Sequence, residues 1–142
     1  MKWIFLALVT CLSVQAQLVG QYQSGEKNDT RLDRLPALWL KSGEPPTAFL
    51  PPGPFATTWT GKLKIAKRQR LIFSFEGTGE ATLSIDGKAL LTEQGTLGTA
   101  RSEQTRINPG EHDITITYKS QPDGAAHFRL FWEEKDFPRQ SV

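Results

Sequence analysis

The chain has 142 residues, of which 17 are Lys or Arg and 15 are Asp or Glu, so its formal net charge is only +2. This length suits one domain and leaves little room for two. The ordinary apolar content excludes a disordered chain, and the balanced charge gives no strong positive field of the kind that nucleic acid binding requires. The single Cys excludes an intrachain disulfide.

The first sixteen residues have the pattern of a secretory signal peptide. Lys2 gives a basic start, an almost wholly apolar run follows, and small residues precede a cleavage point after Ala16. The run is too short to span a bilayer. A lipoprotein signal ending at Cys11 stays open as an alternative, although Thr10 before the cysteine fits it poorly. We therefore expect export to the exterior, the periplasm or the cell envelope, with 17–142 as one domain.

The start of the exported part combines polar residues with a Leu-rich stretch. Residues 17–29 favour an ordered edge segment or a loose lead-in. Leu32 and Leu35 have helical spacing, but Pro36 restricts the residue before it to extended geometry. The pattern predicts a short turn of helix that runs into a strand containing Trp39.

Residues 44–55 contain five of the nine prolines. Proline cannot donate a backbone hydrogen bond, so this segment cannot be a central strand. A solvated linker would not carry the apolar residues Phe49, Leu50 and Phe55. We expect a structured loop that packs against the core.

Beyond this loop, apolar and polar residues alternate with a period of two, which is typical of half-buried strands. The segment 77–79 (Gly-Thr-Gly) predicts a turn, and Asp86-Gly87 predicts a tight hairpin with Asp86 at its tip. Residues 92–103 have no periodicity and favour a loop. Asn108-Pro109-Gly110 predicts another turn.

The last third of the chain alternates in the same way. On the final strand Phe128, Leu130 and Trp132 form the inward face, while His127 and the other odd-numbered residues lie on the opposite side. Short strands at regular spacing, with turn residues between them and no long helical stretch, predict an all-β fold. The expected architecture is an antiparallel β-sandwich or barrel of the jelly-roll type.

Five blocks of sequence occur in an order that resembles the PA-fourteen (PA14) module, the β-barrel domain named after anthrax protective antigen. They read WTGKL, LIFSF, LSIDGK, INPGEHDITITY and FRLFW, at residues 59–63, 71–75, 83–88, 107–118 and 128–132. Segments 29–31 and 49–55 further resemble the variant of this module attached to exported c-type cytochrome proteins of planctomycete-like bacteria. The resemblance covers most of the exported part and implies a non-catalytic accessory domain, of a kind whose best understood members bind sugars.

In the calcium-dependent lectins of that family, two adjacent aspartates hold the calcium ion. The resemblance implies that a hairpin of this chain occupies the corresponding place. Here the corresponding hairpin reads Asp86-Gly87, so the second carboxylate is missing. Calcium prefers six or more hard oxygen ligands. Asp86 is therefore the candidate metal ligand. The sequence predicts no certain cofactor, because the second aspartate of the lectin pair is replaced by Gly87.

A catalytic set is not evident in the sequence. His112 falls in the alternation of a strand and is interpreted as structural. Glu133, Glu134 and Asp136 form the densest acidic group, which we interpret as a solvated tail, although a carboxylate hydrolase stays open as a weaker alternative. We expect no enzyme activity.

Aromatic faces stack on sugar rings while polar neighbours bind the hydroxyl groups. The candidate ligand-binding residues are Trp39 as the aromatic group, with Asp86, Asn28 and Asp123 as polar groups. Trp59 and Trp132 are expected in the core. The leading hypothesis is an exported module that binds carbohydrate or a cell-envelope ligand through its loops. The alternative is a protein-interaction or structural subunit that docks to an exported cytochrome or hydrolase.

Overall fold

The computed structural model describes residues 17–134 and 137–142. The predicted signal peptide and Cys11 lie outside this range. The described residues contain no helix, and therefore none that is long and apolar enough to cross a membrane. Their strands are β1 (Leu18–Ser24), β2 (Lys27–Asp33), β3 (Ala37–Leu40), β4 (Ala56–Ile65), β5 (Gln69–Ile85), β6 (Lys88–Leu97), β7 (Thr105–Ile107), β8 (Gly110–Lys119), β9 (Ala126–Glu134) and β10 (Phe137–Ser141).

The strands form one antiparallel sheet that curls on itself, which confirms the predicted all-β class. One part has the order β2, β1, β4, β8, β5 and β6, and the other is built around β9 and β5. The second half of β5 pairs with β8, whereas its first half pairs with β9 and β7. Strand β5 therefore belongs to both layers of the curled sheet.

Two glycines in the middle of β5 let the strand pass from one layer to the other. Gly77 and Gly79 have φ angles of 128° and 127°. A Cβ atom on Gly77 would lie 1.9 Å from the carbonyl oxygen of His127, and one on Gly79 would lie 2.4 Å from that of Lys119. The prediction of a chain-reversing turn at 77–79 is wrong, because these glycines bend a continuous strand of 17 residues.

The core between the two layers is centred on Phe128. Its ring lies 5.6 Å from Trp59 on β4, 5.4 Å from Phe75 on β5 and 5.2 Å from Tyr118 on β8, measured between ring centroids. The inward face predicted for the last strand is confirmed, since Phe128, Leu130 and Trp132 are all buried. Packed aromatic pairs of this kind contribute about 0.5 to 1.5 kcal/mol beyond the area they bury.

Two local predictions around the sheet edges are wrong. Leu32 and Leu35 form no helical turn, because the chain from Lys27 to Asp33 pairs with β1 as an edge strand. Residues 92–97, predicted as loop, continue strand β6 and pair with β5. Backbone pairing with an existing strand outweighs the weak local pattern in both segments.

The loop after β6 is held by one buried carboxylate. Glu93 accepts hydrogen bonds from the backbone N–H of Gly98 (2.9 Å), the hydroxyl of Thr99 (3.1 Å) and the backbone N–H of Ala100 (2.8 Å). Charge-assisted bonds of this type are stronger than neutral ones. They fix the path of the chain toward Arg101.

The Pro-rich loop packs against the core as expected. Leu50 and Phe55 are buried, and Phe55 exchanges hydrogen bonds with Ser120 on the chain leaving β8. Phe49, also predicted as an apolar anchor, instead has 81% of its surface exposed.

A polar network, to which the sequence analysis assigned no role, joins β1, β2 and β4. Asp33 accepts hydrogen bonds from the hydroxyl of Tyr22 (2.5 Å), the indole N–H of Trp59 (2.8 Å) and Nε of Arg31 (2.8 Å). Burial, together with the bond to Asp33, raises the pKa of Tyr22 to about 12, so this hydroxyl stays a donor at neutral pH. The network anchors edge strand β2 to the core.

Candidate functional site

Trp39 lies on the outer face of the sheet and is largely open to solvent. Strand β3 pairs with β9 so that Trp39 is directly opposite His127. The indole keeps 71% of its surface exposed and meets the imidazole ring edge to face, with 4.3 Å between ring centroids. Leaving a large apolar side chain in water forgoes about 2 to 3 kcal/mol of burial. An exposed indole on a paired strand is therefore a candidate binding group.

Charged or titratable side chains lie beside this indole. Register places Glu76 of β5 opposite Arg129 of β9, two residues along from His127, which is opposite Thr78. Glu76 lies 4.0 Å from Nε2 of His127 and 3.9 Å from Nη2 of Arg139. A groove of about 460 Å³ runs over this surface; we call it the Trp39 groove, and its lining is Ala37, Leu38, Trp39, Glu76, His127 and Arg129.

The Trp39 groove combines a flat apolar surface with hydrogen-bond donors and acceptors. Arg129 offers a planar set of donors, and Glu76 offers carboxylate oxygens. Because three neighbouring strands carry these groups, their relative positions are set by sheet pairing rather than by a loop. This combination suits a ring with one apolar face and hydroxyl groups at its edge.

Asp86 lies at the tip of the β5–β6 hairpin, as predicted. Both Asp86 and Gly87 have positive φ angles, as the tight hairpin turn requires. Its carboxylate is 2.6 Å from Nδ1 of His112 and accepts a hydrogen bond from the backbone N–H of Asp113 at 2.9 Å. Both carboxylate oxygens of Asp86 thus already have protein partners.

Asn28 and Asp123 lie at other places in the sheet. Asn28 is on edge strand β2 and borders a polar groove of about 290 Å³ with Gln21, Gln23 and Thr30. Asp123 closes its own turn by accepting a hydrogen bond from the backbone N–H of Ala125 (3.0 Å).

The structure does not bring the four predicted residues into one site. Asp86 contacts the beginning of β8 at Asp113, whereas Asp123 follows the end of β8 at Lys119. Six residues of extended strand separate these two points, which is about 20 Å. Asp123 is nearer to Trp39, since its carbonyl accepts a hydrogen bond from Ser42, just beyond β3.

Comparison with solved structures shows what this fold resembles. A PA14 sugar-binding domain from an RTX adhesin matches with a TM-score of 0.67 and 16% identity, covering 92% of this chain and 96% of that domain. The PA14 domain of an antifreeze protein matches with a TM-score of 0.69 and 11% identity, covering 89% and 85%. The chain has the PA14 fold.

A longer protein also contains this PA14 fold. An anti-sigma factor domain-containing protein from Clostridium clariflavum matches with a TM-score of 0.74 and 20% identity over 89% of this chain. The chain spans less than half the length of that protein, 45% of it. No protein-family profile and no curated protein sequence matches the chain.

The β5–β6 hairpin carries a single aspartate, Asp86, which Gly87 follows. Among residues 17–134 and 137–142, no group of three or more His, Cys, Asp or Glu side chains is placed to hold a metal ion. A cation at Asp86 would have to compete with His112 and with the backbone N–H of Asp113. Asp86 therefore has a clear structural contact in this fold.

Of the acidic group at the end of β9, Glu133 contacts Arg101 (2.5 Å), and Asp136 lies outside the described residues.

Neither Glu76 nor Arg129 was predicted as a site residue. Arg129 was identified as outward-facing only through the alternation of its strand, and Glu76 had no distinguishing signal. Their proximity to Trp39 depends on strand partners far apart in the chain.

The contact between His112 and Asp86 predicts a pH-dependent stability. Nε2 of His112 also lies 2.7 Å from the carbonyl oxygen of Asn108, so both ring nitrogens have acceptors and the protonated ring satisfies both. The bond to Asp86, followed by that to Asn108, raises the pKa of His112 above 6.5, while His112 lowers the pKa of Asp86.

Because the pKa of His112 is raised on folding, its contribution to stability is complete below about pH 6.5 and is lost as pH rises through the folded value. We expect the urea midpoint of the wild type to fall between pH 6 and pH 9. His112→Asn should remove this fall, while His127→Asn, at the other histidine, should keep it. An unchanged pH profile in His112→Asn would refute the assignment.

Proposed function

We propose that the chain is an exported, non-catalytic PA14 module that binds carbohydrate at the Trp39 groove. The observation that carries the proposal is the exposed indole of Trp39, held on a paired strand beside Glu76, His127 and Arg129. The PA14 fold supports it, because one solved domain of this fold is described as sugar-binding. Export is supported by the signal-peptide pattern of residues 1–16.

In this proposal the sugar ring stacks on the indole, and its hydroxyl groups bond to Arg129 and Glu76. Asp86 supports the hairpin and does not bind the ligand. Binding at the Trp39 groove needs no calcium, since none of the proposed contacts passes through a metal ion. The proposed binding mode therefore differs from that of the calcium-dependent lectins in the family that this chain resembles, in which paired aspartates hold the calcium ion.

Trp39→Ala should weaken glycan binding at least tenfold, because the stacking surface is lost; a tenfold loss corresponds to about 1.4 kcal/mol. The measurement is a glycan array with and without calcium, followed by titration of the best ligand. Phe49→Ala is the matched control, since Phe49 is also a large exposed side chain but does not line the groove. Asp86→Ala should bind like the wild type in both conditions.

Equal affinity of Trp39→Ala and the wild type would refute the site. Absence of binding to every glycan would refute the carbohydrate proposal. If glycan binding is lost both when calcium is removed and in Asp86→Ala, the binding site is at the β5–β6 hairpin and not at the Trp39 groove.

One observation favours the second candidate, a module that docks to a larger exported protein. The large hydrophobic side chains exposed among the described residues all come from the segment 32–49, and they are Leu32, Leu35, Trp39 and Phe49. A contiguous exposed apolar patch marks an interaction site, and the docking candidate requires these four side chains to form one. Stable co-purification with an envelope protein, lost in a Leu35→Ala and Phe49→Ala double variant, would favour docking over glycan binding.

A further inference from the structure

A second and larger groove lies between the beginning of β6 and the segment that leads into β7. Its volume is about 560 Å³, and we call it the basic groove. Its charged lining consists of Lys88 on one side and of Arg101, Glu103 and Arg106 on the other. None of these residues lines the Trp39 groove.

Positive side chains outnumber negative ones along the basic groove. Three cations and one carboxylate line it, an excess of two positive charges that falls to one when Glu133, the partner of Arg101, is counted. Arg101 is bound to Glu133. Lys88 and Arg106 have no carboxylate of the described residues within 4.0 Å. Their charges are therefore available to a ligand.

The pairing of β5 with β7 places a second cation across from the groove residue Arg106. Arg70 lies directly opposite Arg106 in the antiparallel register, and both side chains are exposed. Like charges in directly opposite positions destabilise a sheet. Strand β7 is only three residues long, so few other cross-strand pairs are present to offset this repulsion. Proteins break one or two such local rules at functional sites.

The chemistry of the basic groove selects among anionic ligands. The guanidinium group of Arg binds planar or tetrahedral oxyanions through two parallel hydrogen bonds. The lining holds no aromatic side chain on which a nucleic acid base would stack. Its uncharged polar members, Gln104 and Thr105 among them, can bind hydroxyl groups between the charges.

We propose that the basic groove binds the sulfate or carboxylate groups of an acidic polysaccharide. Lys88 and Arg106 bind the anionic groups, and Arg70 adds to the field at the groove edge. Glu93 holds the chain that leads to Arg101, so this side of the groove is ordered before the ligand arrives. The site is separate from the Trp39 groove and does not depend on it.

The test is titration with dextran sulfate, with alginate as the carboxylate probe and neutral dextran as the uncharged control. The double variant Lys88→Gln, Arg106→Gln removes two groove charges. The matched variant Lys27→Gln, Arg34→Gln removes the same charge from exposed residues outside the groove. We expect at least a tenfold loss of affinity in the groove variant and less than a twofold loss in the matched variant.

Two further readouts separate this site from general effects. The slope of log affinity against log salt should fall by about one to two in the groove variant, because one or two anion contacts are lost. Arg106→Gln should unfold at a urea concentration no lower than the wild type, since its repulsion with Arg70 is removed. Trp39→Ala should keep its affinity for dextran sulfate, whether or not it binds neutral glycans.

Equal losses in the groove and matched variants would overturn the proposal, because net charge alone would then explain the binding. Tighter binding of polyglutamate or single-stranded DNA than of either acidic polysaccharide would also overturn it, in favour of an acidic peptide or a nucleic acid.

Discussion

Gly77→Ala is expected to cost roughly 4 kcal/mol or more of unfolding free energy, a large share of the stability of a small protein. The added Cβ atom would lie 1.9 Å from the carbonyl oxygen of His127, which is backbone and cannot move away without breaking the β5–β9 pairing. The φ angle of 128° adds strain for any residue with a side chain. The measurement is urea unfolding followed by tryptophan fluorescence.

Gly25→Ala is the control for conformational strain alone. Gly25 also has a positive φ angle, of 61°, but a Cβ atom there would meet nothing within 4 Å. We expect a cost of about 1 to 2 kcal/mol, the ordinary cost of a left-handed residue. If Gly77→Ala cost no more than Gly25→Ala, the passage of β5 between the layers would not require glycine at this position.

Asp33→Ala is expected to destabilise the protein by roughly 3 kcal/mol. The change leaves the hydroxyl of Tyr22 and the indole N–H of Trp59 without their acceptor, and each buried unsatisfied donor costs about 1 to 3 kcal/mol. The guanidinium of Arg31 contributes less, because it is partly solvated. Urea unfolding at neutral pH measures the loss.

Tyr22→Phe tests the same network from the other side. It removes one donor and leaves Asp33 bound to Trp59 and Arg31, so we expect a smaller loss, of about 1 kcal/mol. Glu26→Ala, at an exposed position in the turn before β2, should stay within about 0.5 kcal/mol of the wild type. A loss in Asp33→Ala as small as that in Glu26→Ala would refute the role of the network.

Features that depend on neighbouring residues were predictable from the sequence. The turn at Asp86-Gly87 was predicted and is confirmed, because two adjacent residues with positive φ are a local requirement. The buried faces of the last strands were predicted for the same kind of reason, since alternation records which side of a strand faces the core.

The candidate sites were predictable only in part. Trp39 was identified as a candidate binding aromatic, and the structure leaves it largely exposed. The neighbours that turn it into a groove were not identified, because β3, β5 and β9 are far apart in the chain. For the same reason, no local pattern indicates that Arg70 lies opposite Arg106.

The sequence by itself determined the all-β class, the inward faces of the last strands and the tight turn at Asp86-Gly87. Only the tertiary structure decided that Gly77 bends a strand instead of reversing the chain, and which side chains meet at the Trp39 groove and the basic groove. The physical reason is that alternation and turn geometry are properties of adjacent residues. Strand partners and register depend on contacts between distant segments, which a local pattern does not specify.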